Sequence, residues 1–247
     1  MMNPSAAALV IGNELLTGKI KDLNTAVLGK LLFQLGITLK KVIVCPDEVD
    51  TIAEDLNFLR ARHDWVFTSG GVGPTHDDVT LHAISQAFER PLMMEPGLEA
   101  MLREYFGDRL TDDHLSMALV PEGCELVRGK DVRWPTVLVD NVFILPGLPE
   151  VFRMKMPILR ERLGGGRGFV SRAVPTGADE GEIASLLEGL TQQFPTVSIG
   201  SYPHWGRGPV KVTVTFDSLE PAHVDEAARS FLAALPVEQH IAPSEDS

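Results

Sequence analysis

The chain has 247 residues, 44% hydrophobic and 23% charged, proportions of a globular protein rather than a disordered or fibrous one. Asp and Glu outnumber Lys and Arg by 34 to 22, a net charge of −12, which argues against a bulk nucleic-acid surface. No apolar run approaches the roughly 20 residues needed to cross a bilayer, the opening residues lack the positive charge of a secretory signal, and Cys45 and Cys124 are too few for a disulfide framework. A cytoplasmic protein with no membrane and no nucleic-acid partner is expected.

In chain order, residues 6–11 form a short apolar run closed by Gly12, suited to a buried strand. Val27, Leu28, Leu31, Leu32 and Leu35 then fall on one helical face, with Gly36 as the stop. Residues 41–44 predict a second strand, Ile52, Leu56 and Leu59 a second helix, and residues 65–68 a third strand. Beyond a glycine-rich loop at 70–73, Ala83, Ile84, Ala87 and Phe88 make another helical stripe. Strands that are apolar throughout, alternating with helices, predict a parallel sheet covered on both faces. Residues 137–139 and 142–145 add strands around an Asp140-Asn141 turn. Gly164-Gly165-Gly166-Arg167-Gly168 breaks the chain, because three glycines in a row cannot hold a helix. Downstream, strands at 169–174, 197–199 and 210–216 and helical stripes at 183–190 and 224–235 predict a small βαββα unit, and residues 243–247 a loose tail. The domains are accordingly placed at 1–163 and 169–240, with a linker at 164–168.

The stretch Thr68-Ser69-Gly70-Gly71-Val72-Gly73-Pro74-Thr75-His76-Asp77-Asp78-Val79-Thr80 carries the most chemistry. It leaves the carboxyl end of a strand expected to be parallel, where open α/β sheets place ligands, and opens a helix. Its glycines allow a ligand close to the main chain, and helix-start N–H groups can hold a phosphate. It is neither a Walker loop nor a dinucleotide fingerprint. Asp77 and Asp78 admit two readings. Thr75 and Asp78 have the spacing of a helix cap, with Pro74 and Val79 as a hydrophobic staple. Carboxylates beside a phosphate loop also suit a hard cation that bridges to phosphate oxygens. Gly12-Asn13-Glu14 and Leu145-Pro146-Gly147-Leu148-Pro149-Glu150 follow two further strands and should converge on the same edge. In the second unit, Tyr202 and Trp205 in the loop at 200–208 either pack under that loop or reach out to stack on a ring.

Ile11-Gly12-Asn13-Glu14-Leu15-Leu16-Thr17-Gly18, the loop at 70–78 and Leu145-Pro146-Gly147-Leu148-Pro149-Glu150 resemble the molybdopterin-binding-like (MoaB/MogA-type) family, in its CinA amino-terminal branch. The likeness is nearest to the corresponding domain of eukaryotic FAD synthases, which have look-alikes of Val44-Cys45-Pro46-Asp47-Glu48-Val49 and Gly200-Ser201-Tyr202-Pro203-His204-Trp205-Gly206. It runs from about residue 6 to about residue 235. The resemblance implies a three-layer α/β/α sandwich with a mostly parallel sheet, followed by a KH-like α+β domain. It implies a pyrophosphatase dependent on Mg, Mn or Co that cleaves a dinucleotide such as ADP-ribose or FAD to two monophosphates. On that pattern Asp77 and Asp78 serve the metal, and Glu14 is a supporting ligand or base. Gly70, Gly71, Gly73 and Thr75 hold phosphate, and Pro146 and Gly147 close the site. A homo-oligomer, with a dimer favoured, is the expected assembly. Asn13 and Ser116 depart from the family's usual acid or threonine and cation, and Arg133 is the nearby replacement charge. These departures keep open a second reading, a non-catalytic module that binds a nucleotide or molybdopterin. Molybdopterin adenylation or metal insertion ranks last.

Overall fold

The computed structural model describes residues 3–206 and 208–242, so the tail expected at 243–247 lies outside the described residues. The chain divides after Gly166 into two units. The first opens with β1 (Ser5–Ile11), which is buried from Ala6 onward. Ala6 and Ala8 turn to one face of the sheet, Ala7, Leu9 and Ile11 to the other, which is why the run is apolar throughout and not alternating. A one-turn helix, α1 (Asn13–Leu16), leads to α2 (Asn24–Gln34), β2 (Thr38–Cys45), α3 (Val49–Arg60), β3 (Trp65–Ser69) and α4 (Thr80–Phe88). Next come β4 (Leu92–Met94), α5 (Pro96–Phe106), α6 (Asp112–Ser116) and β5 (Leu119–Pro121), with β4 and β5 paired antiparallel. β6 (Glu125–Gly129), β7 (Val132–Val139), β8 (Val142–Ile144) and α7 (Pro149–Leu163) complete the unit. The β7–β8 turn has Asp140 at φ +51, the left-handed conformation a tight hairpin asks of such a residue.

The six-stranded sheet has the order β2-β1-β3-β8-β7-β6. β2, β1, β3 and β8 run parallel, and β7 runs antiparallel to both of its neighbours, β8 and β6. On one face Leu28 and Leu32 of α2 and Phe152 and Leu159 of α7 pack on Phe67 and Phe143, whose rings stack 5.4 Å apart. On the other, Ile52 and Leu56 of α3 and Ala83 and Ile84 of α4 cover Leu9, Val66 and Val142. This is the three-layer, mostly parallel sandwich. Its topology also fixes the place of a crevice. β1 and β3 are neighbours, yet β1 is followed by α2 on one face and β3 by α4 on the other. Adjacent parallel strands whose connections leave to opposite faces open a crevice at their carboxyl ends.

The second unit consists of β9 (Val170–Thr176), α8 (Glu180–Gln193), β10 (Ser198–Pro203), β11 (Val212–Ser218) and α9 (Pro221–Ala234). Its sheet has the order β10-β11-β9, with β11 antiparallel to both neighbours. β11 alternates strictly, burying Val212, Val214 and Phe216 against Ile183, Leu190, Val224 and Phe231. Asp179 and Glu182 cap α8 reciprocally. Trp205 is 99% exposed, so the packing of its ring beneath the loop, one of the two sequence readings, does not occur, whereas the half-exposed Tyr202 ring lies over Gly200. Among the described residues no helix is long and apolar enough to cross a membrane.

Candidate functional site

The carboxyl ends of β1, β2, β3 and β8 release four loops along one edge, and these loops enclose a cleft of about 580 Å³. Its floor is a close contact of main chains. Gly70, at φ +112, lies so near the Ile11 carbonyl that a Cβ there would collide with the oxygen. Gly71, at φ +64, is pressed in the same way against the Thr80 hydroxyl. Only glycine tolerates both the angle and the approach. Thr80, fully buried, donates its hydroxyl to the Gly70 carbonyl at 2.9 Å and its N–H to the Gly71 carbonyl at 3.0 Å. Gly70 N donates to the Leu145 carbonyl, joining the loop at 145–148 to the floor. The N–H groups of Gly71, Val72 and Gly73 meet no acceptor among the described residues. Three consecutive unpaired main-chain donors on a cleft wall are an anion-binding arrangement.

Helix α4 begins at Thr80, not at Thr75 as the capping pattern suggested, and Val79 occupies its N-cap without a side-chain bond. Asp77 and Asp78 therefore stand in a turn ahead of the helix and not in its first turn. The reason is local. Asp78 Oδ2 accepts from the Thr75 N–H at 2.8 Å and from the Thr75 hydroxyl at 2.5 Å, while Asp78 N donates to the Thr75 carbonyl. These bonds close a separate turn, and the staple drawn between Pro74 and Val79 loses its helix start. Asp77 is exposed, and local hydrogen bonding, helped by the neighbouring His76, holds its carboxyl below the usual carboxylate range.

The residues given catalytic, metal or phosphate roles from sequence all line this cleft: Glu14, Gly70, Gly71, Gly73, Thr75, Asp77, Asp78, Pro146 and Gly147. Glu14 folds its carboxylate back over Gly12, where a Cβ would stand 2.5 Å from Glu14 Oε1. Ser116 and Arg133 are not part of the lining. Ser116 donates to the Asp113 carbonyl and Arg133 pairs with Glu104 at 2.9 Å, so Arg133 does not supply a replacement charge here. Sequence reasoning passed over four polar residues of the wall: Lys21, Asp22, Asn24 and Asp47. Asp47 Oδ2 accepts the Asn13 N–H at 2.8 Å. Burial pushes its carboxyl up, and the negative charges of Glu14, Asp77 and Asp78 push it further. Lys21 is the one Lys or Arg of the lining among the described residues. The wall near it is apolar, with Ile20, Leu23 and Leu148 each at least half exposed. The cleft thus has a donor-rich floor, a carboxylate side and an apolar rim.

A mostly parallel sheet with a glycine loop at its switch point defines an open α/β domain that places a ligand at the carboxyl ends of its strands. The comparisons specify the family. Residues 7–163 match the model of the "probable molybdopterin binding domain" family, and residues 168–244 match that of the "FAD synthase, middle domain" family. The chain belongs to the molybdopterin-binding-domain family. It is 33% identical over 221 residues to a protein of Archaeoglobus fulgidus, covering 90% of this chain and 93% of that one. It is 30% identical over 260 residues to a protein named probable FAD synthase from Caenorhabditis briggsae, covering 94% of this chain and 49% of that protein. The chain therefore spans about half the length of that relative. Among solved structures, the CinA protein of Thermoplasma acidophilum, described as of unknown function, aligns with a TM-score of 0.60 and 26% identity, covering 65% of this chain and 98% of that one.

Proposed function

We propose that the protein is a divalent-metal-dependent pyrophosphatase that hydrolyses a dinucleotide such as ADP-ribose or FAD to two monophosphates. The observation that carries the reading is the juxtaposition, in one cleft, of three unpaired main-chain donors at Gly71, Val72 and Gly73 with the carboxylates of Glu14, Asp47, Asp77 and Asp78. Donors suit the phosphates, and the carboxylates suit a cation that accompanies them. The naming of a relative as a probable FAD synthase supports an enzyme that handles nucleotides.

The donor set fits such an ion in one particular manner. Among the described residues no three His, Cys, Asp or Glu side chains stand close enough to form a preformed cage. One or two carboxylates completed by substrate phosphates and water are the usual way of holding Mg²⁺. Asp47 is raised mainly by burial, and the part that Glu14, Asp77 and Asp78 add is a local accumulation of negative charge that a cation relieves. Asp77 and Asp78 would hold the ion, with Asp78 kept in place by Thr75. A bound divalent ion supplies polarisation of the bridging phosphoryl oxygens and a more acidic water. The amides of the glycine loop take up charge on the phosphate as the bond breaks. Glu14, half-buried in α1 just beyond the end of β1, would accept the proton of the attacking water at its carboxylate.

Product analysis tests this. The full chain, incubated with ADP-ribose, FAD and NAD⁺ in the presence of Mg²⁺, Mn²⁺ or Co²⁺, is expected to release two monophosphates from at least one of them. No turnover of any dinucleotide under any of these ions overturns the reading.

A further inference from the structure

The α2 end of the cleft differs in chemistry from its floor. Asn24, the first residue of α2, is 5% exposed and lines the cleft. Its Nδ2 donates to Ser69 Oγ at 2.9 Å and to the Gly147 carbonyl at 2.7 Å. Two N–H bonds meet two acceptors, and because a carbonyl only accepts, the amide is fixed in this orientation. Asn24 Oδ1 is then left buried without a hydrogen-bond partner in the protein. A buried acceptor in that condition is costly unless something donates to it. Asp22, two residues earlier, accepts the N–H groups of Asn24 and Thr25 on Oδ1 at 2.8 and 3.1 Å. These bonds occupy two of the donors with which a helix start attracts anions. This end of the cleft is therefore rich in acceptors. Lys21 apart, the groups at this end suit a hydroxyl donor better than a phosphate.

Its position selects which hydroxyl. Ser69 directly precedes Gly70, and a Cβ on Gly147 would stand 3.1 Å from the Gly70 Cα. The acceptor pair thus adjoins the loop whose amides suit phosphate. In a nucleotide, the donor-bearing group next to the phosphate is the sugar, and the base lies farther off. We propose that Asp22 and Asn24 form a sugar-hydroxyl subsite that reads the 2′- or 3′-hydroxyl of a ribonucleotide, with Ile20, Leu23 and Leu148 against its apolar face. The inference rests on the nucleotide reading above and adds to it a preference for ribose over deoxyribose.

Calorimetric titration of the full chain with adenosine monophosphate, its 2′-deoxy and its 3′-deoxy analogues, in Mg²⁺, tests the proposal. The wild type is expected to bind the ribonucleotide about tenfold more tightly than at least one deoxy analogue, the effect of one good hydrogen bond to a buried group. Asn24→Ala is expected to bind all three alike, and Asp22→Ala to narrow the difference. Equal binding of all three by the wild type overturns the proposal, as does the absence of binding at millimolar ligand or full discrimination by a folded Asn24→Ala. The wild-type series decides even if Asn24→Ala does not fold. These ligands have no pyrophosphate bond, so the outcome is independent of hydrolysis. Discrimination without turnover of any dinucleotide counts against the hydrolase alone, and turnover without discrimination counts against the sugar subsite alone.

Discussion

β1 and β3 run side by side in the same direction, whereas β11 of the second unit runs against both of its neighbours. The first arrangement delivers the loops after β1, β2, β3 and β8 to one edge, so residues as far apart in sequence as Glu14, Asp78 and Gly147 line one cleft. In the second, the β10–β11 hairpin returns the chain at once, and its loop carries an isolated Trp205 out into solvent. The second unit has its own core and its own acids, histidine and aromatics, but its strand directions do not gather them in this way. Direction of strands, more than content of residues, separates the unit with the candidate site from the other. The glycines tell the same story. Gly70 is wedged against main chain, while Gly189 in α8 has nothing within 4 Å of where a Cβ would stand.

The largest effect should come from the carboxylates of the cleft. Asp77→Asn changes an exposed residue, so thermal stability should hold while kcat for dinucleotide hydrolysis falls by roughly three orders of magnitude or more. Near wild-type turnover from both Asp77→Asn and Asp78→Asn would remove the metal from this turn. Gly70→Ala comes next. It places a side chain at φ +112 and against the Ile11 carbonyl, and a loss of roughly 3 kcal/mol or more is expected in urea unfolding of the first unit.

Lys155 gives an effect of similar size that belongs to the first unit alone. Its Nζ is buried and donates to the Trp134 and Pro135 carbonyls at 2.8 and 2.7 Å, and burial pulls its pKa from 10.5 down to about 8. The folded pKa lies below the unfolded one, so between these values the unfolded chain holds a proton that the folded chain has released. Stability contributed by this group is therefore lowest below about pH 8 and grows as pH rises toward 10.5, by up to roughly 3 kcal/mol. Cys45, pushed up to about 12 by burial, acts in the opposite sense above pH 9.0. The difference in stability between wild type and Lys155→Met, measured from pH 7 to 10, isolates the lysine; a pH-independent difference refutes its depressed pKa.

Smaller effects sharpen the contrast from the other side. Gly189→Ala fills open space inside a helix and should stabilise the second unit by about 1 kcal/mol in urea unfolding. Trp205→Ala should change stability by no more than about 0.5 kcal/mol, since the ring packs on nothing beneath its loop. A larger thermal destabilisation would return Trp205 to a packing role.

Much of this architecture is written in periodicity. Leu28, Leu32, Ile52, Leu56, Ala83 and Ile84 declare three helices because each stripe meets a sheet face. The segment from residue 92 to 129 escaped, because β4 and β5 have only three residues each and α5 buries just Leu98 and Leu102, too few to make a pattern. The helix start at Thr80 was hidden for another reason. Thr75 and Asp78 have the letters of a helix cap, but Thr80 is drawn to Gly70 and Gly71 by contacts that only the folded loop provides. The glycine loop and its acids stand together in sequence and could be read there. Asn24 could not, since the crossover after β1 brings it to the cleft as a single polar residue without a motif; Asp47 lies in a stretch with family look-alikes, but nothing in that stretch shows that it turns into the cleft.

The placement of the three tryptophans has a practical consequence for watching this molecule unfold. Trp65 lies against Phe143 and Trp134 against Tyr105, both half-buried in the first unit, so their emission should shift to the red when that unit opens. Trp205 already has the surroundings of an indole in water and should be quenched as readily before unfolding as after. Tryptophan fluorescence therefore reports the first unit and is blind to the second, whereas far-ultraviolet circular dichroism sees the helices of both. Superposition of the two curves would mean that the units unfold as one; a dichroism step with no fluorescence counterpart would be the separate melting of the second.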